Sequence, residues 1–304
     1  MKRSLLSMKD VDSKEIAALL SLSKSMKKNP SRYSSSLKGK TLLMIFEKPS
    51  LRTRLSFDVG MKQLGGETIV VESSQTPFGG KESVSDTAKV CSRYVDAIMA
   101  RLFSHEKLVE LHVQGSIPII NGLTDDEHPV QILSDLLTIF EKKGKLKGLA
   151  LCYLGDGNNN VTHSLLMGCA IMGINIRVGC PKGLMPKKEV VDWANKTSKG
   201  TVIVTNDPKE AIKDADIVYT DSWMSYHIDA SKKEERIKAL MPYQVNESIV
   251  KLAKKDFIFM NCLPAQRGYE QSAGIIDGLH SVVFDQAENR LHTQKAILYT
   301  LLKK

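Results

Sequence analysis

Two hydrophobic rhythms alternate along this chain: short unbroken apolar runs, and longer stretches in which apolar residues recur every three or four positions. Residues 41–45 form an apolar run of the kind that is buried on both faces of a parallel sheet, and Pro49 stops it. Beyond Ser50, a good N-cap residue, Phe57, Met61 and Leu64 recur at helical spacing until Gly65-Gly66 ends the element. The same pattern predicts strands at 42–46, 68–72, 97–102 and 117–121, with helices starting after 52, 85 and 104 and a long helix from 128 to about 142. Ahead of them, residues 12–28 predict a packing helix, with Asp12 and Glu15 as a capping box and Ile16, Leu19 and Leu20 on one face.

Lys143-Gly144-Lys145-Leu146-Lys147-Gly148 is a polar break, after which the alternation resumes. Strands are predicted at 149–154, 175–179, 201–206, 216–220 and 256–262, and helices over 161–172, after Pro186 and around 247–254. Residues 223–241 are polar with little apolar periodicity and read as a long loop of the kind that serves as a lid. Residues 285–304 predict one closing helix. Strands alternating with helices imply an α/β protein, and 304 residues exceed what one core usually supports. The expected fold is therefore two doubly wound parallel-sheet domains, 1–143 and 148–284.

Composition narrows the function classes. The formal charge of +9 is spread over lysine pairs at 27-28, 142-143, 187-188, 232-233, 254-255 and 303-304, and only 6% of residues are aromatic, so a nucleic-acid stripe is not expected. No apolar run approaches the ~18 residues of a membrane helix. Leu5-Leu6 is too brief for the centre of a secretory signal, so the expected compartment is the cytoplasm. Cys91, Cys152, Cys169, Cys180 and Cys262 are odd in number and lack C-x-x-C spacing, which argues against a disulfide framework. The seven histidines are dispersed, and no metal site is expected.

In open parallel sheets ligands bind beyond the carboxyl ends of the strands, so the residues that follow each strand carry the chemistry. Phe46-Glu47-Lys48-Pro49-Ser50-Leu51-Arg52-Thr53-Arg54 brings a helix N-terminus, two hydroxyls and two guanidinium groups to one point, which suits a phosphate. An isolated Arg52 and Arg54 would equally describe a solvated helix face; the Ser, the Thr and the strand-to-helix position favour the anion. Arg101 follows the third strand. His128 and Gln131, three apart at a helix start, can grip one carbonyl, although His128-Pro129 also suits a plain helix start. Gly155-Asp156-Gly157-Asn158-Asn159-Asn160 lacks the third glycine of a dinucleotide fingerprint; its three amides suit an amino-acid-like ligand or a tight turn. Asp221 and Cys262, at two strand ends, can hold an amine between them, or else cap a turn and fill the core.

Taken together these runs resemble the transcarbamoylase family, most closely its ornithine branch, over almost the whole chain. The run from Phe46 to Arg54 looks like the family's carbamoyl-phosphate motif. His128-Pro129-Val130-Gln131, Asp221-x-Trp223-x-Ser225, Cys262-Leu263-Pro264 and Asn289-Arg290-Leu291-His292 match its other motifs in the same order. The resemblance implies a carbamoyl-phosphate domain and an amino-acid domain bridged by two helices, with the C-terminal helix 285–304 packing back on the first. It also implies a homotrimer, or an assembly of trimers, with sites between subunits, and no cofactor or metal. By motif match, Ser50, Leu51 (through its backbone), Arg52, Thr53 and Arg54 hold the phosphate. Arg101, His128 and Gln131 bind the carbamoyl end, and Gln75 corresponds to a residue reaching into a neighbouring subunit. Asn159 or Asn160, Asp221, Ser225, Tyr226, Cys262 and Leu263 form the ornithine site, and Arg290 lies near the reacting groups.

Three positions depart from the family pattern: Leu51 stands for Thr, Asn261 for the His before Cys-Leu-Pro, and Ser225-Tyr226-His227 for Ser-Met-Gly. The expected reaction is carbamoyl transfer to ornithine. Putrescine, lysine or an acylated ornithine are the alternative acceptors, and a dinucleotide-dependent oxidoreductase is the rival outside the family.

Overall fold

A computed structural model of the chain describes residues 4–303 except residues 77 and 225–227. The chain divides into two compact units, Met1–Leu137 with Glu288–Lys304, and Thr138–Ala287. Each is an α/β unit around one all-parallel sheet.

The first unit contains α1 (Ser13–Lys28), β1 (Thr41–Phe46), α2 (Leu51–Gln63), β2 (Glu67–Glu72), α3 (Val84–Tyr94), β3 (Ala97–Arg101), α4 (His105–Gln114) and β4 (Ile119–Leu123). The strand order is β2-β1-β3-β4. The central strands β1 and β3 are buried almost throughout, as unbroken apolar runs require, whereas the edge strand β2 is half exposed. Leu43 and Ile45 of β1 and Ile98 and Ala100 of β3 pack with Leu108 and Leu111 of α4. The amino-terminal segment covers the far edge: Leu5 bridges Ile120 in parallel, and its N–H donates to the Ile119 carbonyl at 2.9 Å.

α5 (Pro129–Lys143) starts in the first unit and ends in the second, where β5 (Ala150–Leu154), α6 (Asn160–Met172), β6 (Asn175–Gly179), α7 (Lys188–Thr197), β7 (Val202–Thr205), α8 (Pro208–Ile212), β8 (Ile217–Tyr219), α9 (Lys233–Leu240), β9 (Ile258–Met260) and α10 (Ala273–Ile276) follow. Its sheet order is β7-β6-β5-β8-β9. The last helix, α11 (Val283–Leu302), begins in the second unit and continues in the first. Both sheets reverse direction of growth beside a central strand, at β1/β3 and at β5/β8, and such switch points open a crevice at the strands' carboxyl ends.

Two segments differ from the pattern-based expectation. Residues 247–254 contain only a 3-10 turn, Ile249–Leu252, because the backbone turns extended at Ala253 and the Lys254 N–H donates to the Ala215 carbonyl instead of continuing a helix. Residues 223–241, read as a loop, contain α9; only Leu240 of that helix is buried, so it carries no apolar stripe for periodicity to detect. The short helices α8 and α10 also went unseen, being barely one turn long. Among the described residues no helix is long and apolar enough to cross a membrane.

Candidate active site

In the first unit the carboxyl ends of β1 and β3 and one turn of α11 supply the cations Lys48, Arg52, Arg101 and Arg290, and the end of β4 leads to His128. β1 leads through Glu47, Lys48 and Pro49 into α2. Ser50 occupies the N-cap position in extended conformation, but its hydroxyl makes no capping hydrogen bond. Elsewhere Asp12, Ser83, Ser104 and Asn159 do cap their helices. The first turn of α2 therefore keeps its N–H groups and the Ser50 hydroxyl free of capping duty. Thr53 is buried, Arg52 half-buried and Leu51 68% exposed. Arg54 points along the exposed face of α2 and pairs with Glu72 at 3.3 Å.

Arg290 of α11 joins this turn to the start of α5. Its Nη2 donates to Thr53 Oγ1 at 2.8 Å and its Nη1 to Gln131 Oε1 at 2.6 Å, while Gln131 Nε2 donates to Asp135 Oδ1 at 2.8 Å. Arg101, at the end of β3, is buried, as is His128. Burial first, then the charges of Arg290, Arg101 and Lys48, holds the His128 imidazole well below its ordinary pKa of 6.5, so the ring is neutral. Lys48 has no role in the motif match. It is buried, pairs with Asp125 and lies 4.5 Å from the Phe103 ring centroid. Its place two residues before the N-cap was the only sequence signal for it.

The turn before His128 is braced from the amino terminus. The buried Glu127 carboxylate accepts from Ser7 Oγ at 2.7 Å and from the Met8 N–H at 3.1 Å, and burial pushes its pKa up to about 7. Sequence reading missed this carboxylate, since a Glu in a polar turn carries no sign of burial. Gln75 ends a 3-10 turn, Ser73–Gln75, and its side chain lies outside the described residues.

In the second unit the ends of β5, β8 and β9 meet. Asn159 is buried and fully engaged: Oδ1 accepts from the Thr162 N–H at 2.8 Å as the α6 N-cap, and Nδ2 donates to Tyr153 Oη at 2.9 Å and to the Asp156 carbonyl at 3.1 Å. Asn160, the first residue of α6, is half-buried. Cys262 Sγ donates to Asp221 Oδ1 at 3.1 Å, bringing together the acid and the thiol that sequence placed at two strand ends. Leu263 follows with φ of 57°, in the left-handed region. Ser225 and Tyr226, expected at the ornithine site, lie outside the described residues, as does His227.

Two further side chains tie these loops together. Glu270 accepts from the Trp223 N–H at 3.2 Å and from the Gln266 N–H at 2.9 Å, and burial raises its pKa. Arg236 of α9 donates to Asp156 Oδ2 at 2.5 Å and to the Trp223 carbonyl at 3.0 Å. The turn after β5 does not suit a dinucleotide. A Cβ at Gly157 would lie 2.6 Å from the Leu184 carbonyl and 2.8 Å from Cys180 Sγ, so this glycine is spent on packing against the protein, not on the approach of a pyrophosphate.

Two family models match. Residues 3–141 match the carbamoyl-P binding domain of aspartate/ornithine carbamoyltransferase and residues 147–301 match its Asp/Orn binding domain. The ornithine carbamoyltransferase of Anoxybacillus flavithermus is 52% identical over 306 residues, covering 99% of this chain and 96% of the relative. The catabolic ornithine carbamoyltransferase of Thermoplasma acidophilum is 47% identical over 304 residues, covering 99% of each. The solved structure of ornithine carbamoyltransferase from Pyrococcus furiosus has a TM-score of 0.95 at 45% identity, covering 98% of this chain and 96% of that one. With both domain models matched in order and relatives near half identity over full length, the chain belongs to the aspartate/ornithine carbamoyltransferase family.

Proposed function

We propose that the protein transfers the carbamoyl group of carbamoyl phosphate to the side-chain amine of L-ornithine, giving L-citrulline and phosphate. The observation that carries this reading is the neutral, buried His128 set among Lys48, Arg101 and Arg290, beside a helix N-terminus whose Thr53 hydroxyl is held by Arg290. Such a cluster suits a small dianion with a carbonyl at one end.

In this reading the α2 turn binds the phosphate through Ser50, the Leu51 N–H, Arg52 and Thr53. Because Arg290 donates into Thr53 Oγ1, the hydroxyl's own hydrogen is left for the phosphate. Neutral His128 donates to the carbamoyl oxygen together with Arg101, and the developing oxyanion is stabilised by the nearby guanidinium groups. Gln131 orients Arg290 and keeps one amide hydrogen for the carbamoyl end.

The acceptor must attack as a neutral amine, although an alkylamine has a pKa of ~10 and is protonated at neutral pH. Asp221 and Cys262 hold that amine as its ammonium proton passes to solvent, and once the nitrogen has attacked, its second proton leaves with the phosphate. The C–N bond forms, the tetrahedral intermediate collapses, and the C–O bond to phosphate breaks. Of Asn159 and Asn160, it is Asn160 that contacts the ornithine, because Asn159 uses its oxygen to cap α6 and its amide hydrogens on Tyr153 Oη and the Asp156 carbonyl. Ser225 and Leu263 complete the amino-acid contacts by motif match.

The same reading carries a homotrimer. Leu51, Leu55 and Val59 lie four apart on α2 and are 68%, 52% and 37% exposed, and Ile69 of the edge strand β2 is 49% exposed. This is an apolar stripe of the kind that subunit interfaces cover. All five cysteines are free thiols, which supports a reducing compartment such as the cytoplasm.

The test is to incubate the protein with carbamoyl phosphate and, separately, ornithine, putrescine, lysine, N-acetylornithine and aspartate, and to measure ureido product. Product from ornithine far above the others supports the reading; none from ornithine overturns it.

A further inference from the structure

Asn261, the residue that departs from the family's usual His, sits at the end of β9 and is completely buried, in a chain of amides. Its N–H donates to Gln286 Oε1 at 3.0 Å, and Gln286 Nε2 donates to Tyr219 Oη at 3.1 Å. Its side-chain Oδ1 accepts from the Leu263 N–H at 2.8 Å, and its Nδ2 donates to Gln271 Oε1 at 3.2 Å. Gln271 Nε2 in turn donates to the Gln266 carbonyl at 3.1 Å.

The direction of this chain is dictated by the backbone. A backbone N–H can only donate and a backbone carbonyl can only accept, so Leu263 fixes Oδ1 of Asn261 and the Gln266 carbonyl fixes Nε2 of Gln271. That leaves Nδ2 facing Oε1, and only a group with one acceptor and one donor at 261 satisfies both neighbours. The bond from Oδ1 to the N–H two residues on is an Asx-type turn. It spans Cys262, whose thiol rests on Asp221, and ends on Leu263, which is held at a φ of 57° that residues with a Cβ rarely adopt.

We propose that Asn261 is the positioning residue of the amine site: its amide closes the turn that aims the Cys262 thiol at Asp221 and holds Leu263 left-handed. The proposal rests on the reading that Asp221 and Cys262 receive the acceptor amine. Asn261 itself does not touch substrate; it acts through the two residues that follow it.

The experiment compares the wild-type protein with Asn261→Ala, which removes both side-chain bonds, and Asn261→Asp, which keeps the acceptor for Leu263 and loses the donor to Gln271. Two readouts are taken: the KM values for ornithine and carbamoyl phosphate, and the rate at which iodoacetamide alkylates Cys262, followed by mass spectrometry of its peptide. N261A is expected to raise the ornithine KM about ten-fold or more while changing the carbamoyl-phosphate KM less than about two-fold, and to speed Cys262 alkylation several-fold as the thiol leaves Asp221. N261D should fall between N261A and wild type on both readouts, and carries the comparison if N261A does not fold. An unchanged alkylation rate, or equal rises in the two KM values, overturns the proposal. If wild-type protein makes no ureido product from ornithine, the acceptor reading fails, and the alkylation rates still decide whether Asn261 positions Cys262.

Discussion

Arg290 donates to the Thr53 hydroxyl at 2.8 Å, joining the last helix of the chain to the first turn of α2. Its other amino group holds Gln131 at 2.6 Å, so one planar fork sets two side chains whose motifs lie far apart in sequence. A lysine cannot reproduce that fork. Arg290→Lys should therefore lower kcat by about 100-fold or more, in the range found when a transition-state donor is lost. Thr53→Val should lower kcat/KM for carbamoyl phosphate by about ten-fold or more, whereas Thr53→Ser, which keeps the hydroxyl, should retain most activity. Steady-state assays of ureido product check all three; equal activity of the Val and Ser variants would remove Thr53 from the phosphate site.

Arg52 and Arg54 are two residues apart, yet α2 turns them to different surroundings. Arg54 is exposed and pairs with Glu72, while Arg52 is half-buried and, among the described residues, makes no ion pair. Arg52→Ala should cost about 100-fold or more in kcat/KM with little change in Tm, because a charge-assisted phosphate contact is lost and no core contact is. Arg54→Ala should cost far less activity, since an exposed ion pair contributes ~1 kcal/mol or less. Matched losses in the two variants would mean that both arginines reach the phosphate.

Glu127 gives the stability a definite pH dependence. Its pKa is raised from 4.5 to about 7 by burial, so the folded protein binds this proton more tightly than the unfolded chain does. The corresponding stability is fully present below about pH 4.5 and is lost as the pH rises through about 7, a contribution of about 3 kcal/mol. Glu127→Gln has no charge to bury, and its Tm should decline less than the wild-type Tm between about pH 5 and about pH 8. Thermal denaturation across that range is the measurement, and parallel Tm curves would show that Glu127 is ionised alike in both states.

His128 carries the opposite sign. Burial and the cations Arg290, Arg101 and Lys48 lower its pKa, so the neutral ring persists as the pH falls below 6.5. Its contribution to stability is present above 6.5 and is lost as the pH falls through its lowered folded-state value. In ring ¹⁵N spectra His128 should keep the neutral pattern at pH values below 6.5 where an unperturbed histidine is mostly protonated. A His128 titration centred near 6.5 would contradict the charged surroundings described for it.

The apolar pattern revealed most of the scaffold because burial acts residue by residue. A strand covered on both faces, such as β1 or β3, needs an unbroken apolar run, and that run is visible in the sequence. Helix α9 was not visible, because it buries only Leu240, and the helix expected at 247–254 is cut to the Ile249–Leu252 turn because Lys254 pairs its N–H with the Ala215 carbonyl, a partner distant in sequence. The same logic separates the site residues. Ser50, Arg52, Asp221 and Cys262 announce themselves by chemistry and by position after a strand. Lys48, Glu127 and Arg236 do not, since each owes its role to a partner 77, 120 or 80 residues away in sequence.

Sequence alone determined the two α/β units, the strand ends that carry chemistry and the family resemblance, all of which depend on local spacing and residue type. Tertiary structure decided how neighbouring candidates are engaged: Asn159 caps α6, Arg54 pairs with Glu72 while Arg52 does not, and Asn261 closes the turn under Cys262. The physical reason is that a hydrogen-bonding group can serve only as many partners as it has donors and acceptors, and those partners come from segments that meet only when the chain folds.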